Sequence, residues 1–78
     1  MPREELIQKI RTADDQDDTR FTEIIAGAVN AGVTSDIDLA HEFGTSYPTA
    51  RRWIQGVSCP HPAMRKCVYG WILKRLSQ

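Results

Sequence analysis

Three glycines, Gly32, Gly44 and Gly56, each close a run of apolar residues set at helical spacing, and no other feature of the chain restricts its fold as much. Phe21, Ile24, Ile25, Ala28 and Val29 fall at i, i+3, i+4, i+7 and i+8, the pattern of one buried helical stripe. Thr19 suits the start of that helix and Gly32 its end. Ser35 caps a much shorter helix, with Asp38 three residues on approximating a capping box. Ile37, Leu39, Ala40 and Phe43 supply its inner side before Gly44 stops it. Ser46 then caps a helix running to Gln55, in which Ala50, Trp53 and Ile54 are the apolar positions and Gly56 is the stop. Pro48 is tolerated there because first-turn N–H groups have no partner within the helix to lose.

Two further helices flank this set. Leu6, Ile7 and Ile10 repeat at helical spacing between about Arg3 and Thr12, behind Pro2 and with Glu4 and Glu5 at the end that favours negative charge. Residues 13–18, Ala-Asp-Asp-Gln-Asp-Asp, lack periodicity and are expected to be a solvent-facing acidic loop. After the proline-punctuated stretch Val57–Pro62, a helix from Ala63 to Leu76 carries Met64, Cys67, Val68, Trp71 and Ile72 on one stripe. Tyr69, Leu73 and Leu76 widen its apolar arc to roughly 240°. Such an arc has two surfaces to cover, so Tyr69, Leu73 and Leu76 are expected to form a homodimer interface, while Trp53 and Trp71 belong to the core. The fold expected is all-α, a compact bundle of about five helices in a single domain spanning residues 1–78.

Composition narrows the function classes. With 41% hydrophobic and 26% charged residues the chain matches globular domains and neither disordered nor membrane proteins. No apolar stretch approaches the roughly 20 residues of a membrane span, and the first residues lack the apolar run of a secretory signal, so a cytoplasmic location without membrane association is expected. Cys59 and Cys67 are read as free thiols. A zinc site from Cys59, His61, Cys67 and His41 fits none of the usual ligand spacings. There is no Gly-rich phosphate loop and no nucleophile motif, so neither an enzyme nor a metal or cofactor site is expected.

Net charge is zero, yet it is unevenly placed. Residues 1–42 hold all ten acids against Arg3, Lys9, Arg11 and Arg20, a net of −6, whereas residues 43–78 hold Arg51, Arg52, Arg65, Lys66, Lys74 and Arg75 with no acid, a net of +6. Halves of opposite sign suggest one surface that faces phosphates and one that avoids them.

The segment Asp36–Gly56 concentrates the remaining signal. Two short helices cross steeply only through a tight turn, which asks for Gly44 at positive φ and a small residue, Ala40, at the approach. Leu39, Phe43, Ala50 and Trp53 close an apolar centre between them, leaving Tyr47, Thr49, Arg51, Arg52 and Gln55 facing outward. In Leu39-Ala40, Phe43-Gly44, Thr45-Ser46, Thr49, Arg52-Trp53 and Gly56, followed by a proline-bearing loop, the chain resembles the helix-turn-helix of the lambda-repressor-like, Cro/XRE-type regulators of phages and bacteria. The resemblance implies that the first helix of the motif braces the backbone and the second enters the major groove of double-stranded DNA. It would place Ser46, Tyr47, Thr49, Arg51, Arg52 and Gln55 at the DNA. Tyr47-Pro48 departs from the usual polar pair at the start of the reading helix, and Ala50 stands where a branched aliphatic is commoner.

Arg51 and Gln55, four apart on one face, suit guanine O6/N7 and adenine respectively. Arg65 and Lys66, with His61 more weakly, are candidate phosphate clamps. Two function classes follow. One is a sequence-specific transcription regulator, working as a homodimer on two half-sites. The other is a protein-interaction module on the same scaffold, for instance an inhibitor of a host complex, which the zero net charge favours.

Overall fold

The computed structural model describes residues 2–77, and these form five α-helices with no strand among them. The helices are α1 (Arg3–Arg11), α2 (Asp18–Asn30), α3 (Asp36–Phe43), α4 (Tyr47–Gln55) and α5 (Pro62–Leu76). No helix among the described residues is long and apolar enough to cross a membrane.

Each of the three glycines lies in the left-handed region just past a last helical turn, with φ of 75°, 62° and 77° at Gly32, Gly44 and Gly56. The same hydrogen bond closes all three ends: Val33 N–H to Ala28 O, Thr45 N–H to Ala40 O and Val57 N–H to Arg52 O, at 2.9, 3.1 and 3.0 Å. Gly56 is doubly constrained, because a Cβ there would stand 3.0 Å from Thr22 Cγ2 on α2. At the starts, Ser35 Oγ accepts from Asp38 N–H and Ser46 Oγ from Thr49 N–H, both at 3.2 Å, as the capping residues predict.

α2 begins earlier than Thr19. Asp17 Oδ1 accepts from Arg20 N–H at 3.0 Å, so Asp17 is the cap and Asp18 and Thr19 lie inside the first turn. A carboxylate caps as well as a hydroxyl and adds a favourable interaction with the helix dipole. α5 likewise starts at Pro62, with His61 Nδ1 accepting from Ala63 N–H at 3.1 Å.

α2 is the central helix, packed against α1 on one side and α4 on the other, and α5 closes against α1. Its stripe supplies Phe21, Ile24, Ile25 and Ala28 to a core completed by Leu6, Ile10, Leu39, Ala50, Trp53, Val68, Tyr69, Ile72 and Leu76. The Phe21 ring meets Trp53 edge-on at 6.4 Å and Tyr69 at 5.8 Å, which ties α2 to α4 and α5 together.

The wide apolar arc of α5 is consumed within the chain. Tyr69 and Leu76 are each 6% exposed and Leu73 is half-buried against the core. The homodimer interface expected at Tyr69, Leu73 and Leu76 is therefore corrected: Tyr69, against Phe21 of α2, and Leu76 belong to the core of their own chain, and Leu73 packs against that core. Trp71 on its other flank is only half-buried, with Phe43 edge-on at 5.5 Å. Cys67 and Met64, assigned to the apolar stripe, are exposed, and so is Ile37, which turns outward from α3 at 52% exposure.

Candidate nucleic-acid interface

α4 divides cleanly into two sides. Ala50 and Trp53 are buried, Thr49 and Ile54 half-buried, and Tyr47, Pro48, Arg51, Arg52 and Gln55 exposed. At 100° per residue the exposed set occupies one arc of about 140°, with Tyr47 at one edge, Arg52 at the other, and Arg51 and Gln55 between them. The burial of Ala50 and Trp53 fixes the rotation of the helix, so this arc is presented to solvent as a direct consequence of core packing. The three-residue turn Gly44-Thr45-Ser46 fixes its inclination to α3.

Within the arc, the expected DNA-binding residues differ in what they have free. The Arg51 guanidinium lies 5.2 Å from the centre of the Tyr47 ring, and its Nε is 3.4 Å from Asp36 Oδ2 at the start of α3. Arg52 makes no ion pair among the described residues and extends into solvent. Gln55 is exposed and borders a groove of about 200 Å³ with Val29, Ser35, Asp36, Arg51 and Ile54. Ser46 and Thr49 are engaged with each other, their hydroxyl oxygens 2.8 Å apart, so they stabilise the first turn and offer less to a ligand than their position suggests.

Arg65 is not a phosphate clamp. It is 5% exposed; Nε donates to Pro60 O at 2.9 Å, Nη1 donates to Asp15 O at 2.7 Å, and Nη2 pairs with Asp18 Oδ1 at 2.6 Å. Its guanidinium also lies 5.7 Å from the Phe21 ring centre. Each guanidinium nitrogen is engaged, and two of the three contacts tie α5 to Asp15 and to Asp18 at the start of α2. Lys66, its neighbour, is 73% exposed with its Nζ 3.5 Å from Asp15 Oδ2, so its charge remains accessible to an anion. His61 presents Nδ1 as an acceptor in its cap, which turns that nitrogen away from a phosphate role.

These pairings revise the charge argument as well. Of the six bases in residues 43–78, Arg51, Arg65, Lys66 and Arg75 each pair with an acid from residues 1–42, namely Asp36, Asp18, Asp15 and Asp38. Arg75 also donates from Nε to Val33 O at 2.8 Å and covers the Trp71 ring at 4.8 Å. The division of charge along the sequence does not become a division of charge in space. The acidic run 13–18 is likewise an ordered latch, with Asp14 Oδ1 accepting from Gln16 N–H at 2.9 Å and Asp17 N–H donating to Asp14 O at 3.0 Å.

Asp36 is the member of this site that sequence reasoning did not single out. Fifteen positions separate it from Arg51, and no helical spacing links them; the turn at Gly44 brings them together. A second exposed feature lies beside it, a shallow groove of about 470 Å³ between α3 and α4, lined by Ile37, Ala40, His41, Gly44, Thr45 and Tyr47.

Comparison of the chain with models of protein families, with curated proteins and with solved structures gives no match.

Proposed function

We propose that α3 and α4 form a helix-turn-helix of the lambda-repressor-like kind, and that the chain is a sequence-specific DNA-binding protein, a small transcription regulator of phage or prokaryotic type. The observation that carries this reading is the outward arc of α4. A helix set on its neighbours by Ala50 and Trp53 turns Tyr47, Arg51, Arg52 and Gln55 together to solvent. Arg and Gln are the side chains whose paired donors and acceptors match guanine and adenine edges in the major groove. Arg52 and Lys66 supply phosphate contacts. Readout by so few side chains supports the pairing of two copies on a two-fold site, with half-sites about one helical turn apart.

Because four of the six bases in residues 43–78 are paired with acids of the same chain, the protein grips DNA with a small electrostatic component. The phosphate contacts from Arg52 and Lys66 correspond to a slope of log K against log salt of about −2 per chain. The test is selection from a random duplex pool, followed by titration of the winners from low to physiological salt. A two-fold motif that Arg51→Ala and Gln55→Ala each degrade, at a cost of about 1–3 kcal/mol in discrimination, supports the proposal. Binding with no enriched motif that vanishes at physiological salt overturns it.

One observation favours a second reading, a protein-interaction module. Ile37, 52% exposed, flanks the groove between α3 and α4 with apolar surface that the DNA-facing arc of α4 does not include. Ile37→Ser separates the two: it leaves operator binding intact and disrupts a partner that docks there.

A further inference from the structure

We infer that Asp36 is a positioning residue for base recognition: with the Tyr47 ring it holds the Arg51 guanidinium so that its terminal nitrogens face a guanine. This inference rests on the DNA-binding reading above and names the base read at one position and the residue that enforces it.

The geometry supplies the argument. An arginine reads guanine by offering two parallel N–H donors to O6 and N7. Its long side chain must lose rotamer freedom to do so, and whatever fixes it beforehand reduces that loss. Here the guanidinium is approached from two directions. Asp36 Oδ2 lies 3.4 Å from Nε, on the inner edge, and the Tyr47 ring supports the planar group with its centre 5.2 Å away. The Arg51 side chain is nevertheless 59% exposed, and no hydrogen bond from its terminal nitrogens occurs among the described residues. The carboxylate is itself anchored, since Asp36 Oδ1 accepts from Ile37 N–H at 2.8 Å.

The same carboxylate has a second effect of opposite sign. Placed beside the reading helix it repels phosphate, so it weakens binding to any duplex while sharpening the choice among duplexes. A residue that served only to hold α3 in place would not separate these two quantities.

The experiment uses the full chain and three proteins: wild type, Asp36→Asn and Arg51→Lys. Asn retains the oxygen that accepts from Ile37 N–H, and Lys retains the charge of Arg51 but not its planar fork. Motifs are selected from a random duplex pool, and affinities are then measured for the winning site, the same site with its guanine replaced, and a random duplex. The expected result is a guanine preference that falls about tenfold in both variants, while Asp36→Asn binds the random duplex several-fold more tightly than wild type. In the free protein, the Arg51 Nε–H resonance should shift in Asp36→Asn. A guanine preference unchanged in Asp36→Asn, or a winning site whose specificity ignores Arg51→Lys, overturns the inference and leaves DNA binding standing. Absence of any selected motif in wild type removes the DNA reading itself, and the inference with it.

Discussion

Tyr69 offers a sharp test of how the core is built, because its hydroxyl is buried and has no hydrogen-bond partner. The ring packs on Phe21 at 5.8 Å while the whole residue is 6% exposed. In the unfolded chain the hydroxyl is hydrated, so folding strips it of water without replacement, at a cost of about 1–3 kcal/mol. Tyr69→Phe removes that cost and keeps the ring, and is expected to stabilise the protein by about 1 kcal/mol at pH 7, raising Tm by roughly 4–8 °C for a domain of this size. Burial also pushes the hydroxyl up from 10.0 to about 12, with the neighbouring Arg65 acting in the opposite direction. The neutral form is therefore favoured in the folded state. Its contribution is fully present below pH 10 and is lost as pH rises through 12, since the unfolded chain releases its proton first. With those two values wild type loses about 1.4 kcal/mol by pH 11 on this account, and the phenylalanine variant loses none of it. Thermal unfolding of both proteins at pH 7 and pH 11 measures both effects, with the difference between them cancelling all other alkaline titrations. A variant less stable than wild type at pH 7, or a gap that does not widen at pH 11, would show that the hydroxyl has a partner and that the packing around Phe21 is misread.

Two glycines give predictions of opposite sign. Gly56→Ala meets both a positive φ and Thr22, and should lower stability by about 1–2 kcal/mol in urea unfolding; Gly70→Ala, mid-helix with nothing within 4 Å of the new methyl, should raise it by about 1 kcal/mol. Arg65→Met leaves two carbonyls without their donor and breaks the pair with Asp18. It should cost roughly 2–3 kcal/mol in the same assay, whereas a phosphate clamp would be lost with no change in the free protein. Arg52→Ala should weaken binding to all duplexes alike and lower the steepness of the salt dependence by about 1, seen in fluorescence anisotropy titrations, without altering the selected motif.

The helices were legible because their ends are written locally. Ser35, Ser46, Gly44 and Gly56 act on backbone groups within a few residues, so their spacing alone locates α3 and α4. The boundary at α2 shifted because three neighbouring residues, Asp17, Asp18 and Thr19, are all competent caps, and nothing local chooses among them. The roles of Arg65, Tyr69 and Leu76 were not legible. A basic or apolar residue on a helix can face solvent or a neighbour, and the choice depends on where α1 and the segment before α2 come to lie. The outward direction of Tyr47, Arg51 and Gln55 was readable from Ala50 and Trp53, whereas the approach of Asp36 to Arg51 is a product of the turn.

Charge is where sequence and structure diverge most, and the divergence bears on function. A chain split into −6 and +6 halves would, if the halves folded apart, present a broad positive field to DNA and bind any duplex. Folding instead uses the acids of the first half to neutralise the bases of the second: Asp18 on Arg65, Asp15 on Lys66, Asp38 on Arg75 and Asp36 on Arg51. The three exposed pairs contribute little to stability, typically under about 1 kcal/mol each, the pair made by the buried Arg65 being the exception. The larger consequence of the four pairs is that, of the six bases in residues 43–78, only Arg52 and Lys74 make no ion pair among the described residues, and Arg52 lies on the outward arc of α4. Non-specific affinity scales with the number of phosphates neutralised, whereas discrimination scales with base contacts. If α4 reads DNA as proposed, a body whose second-half bases are largely paired would lose general attraction faster than selectivity, and the ratio between a correct site and random DNA would rise. On this argument the zero net charge is compatible with operator recognition, and restoring positive charge by Asp36→Asn or Asp15→Asn should make the protein bind more DNA and choose less well among sites.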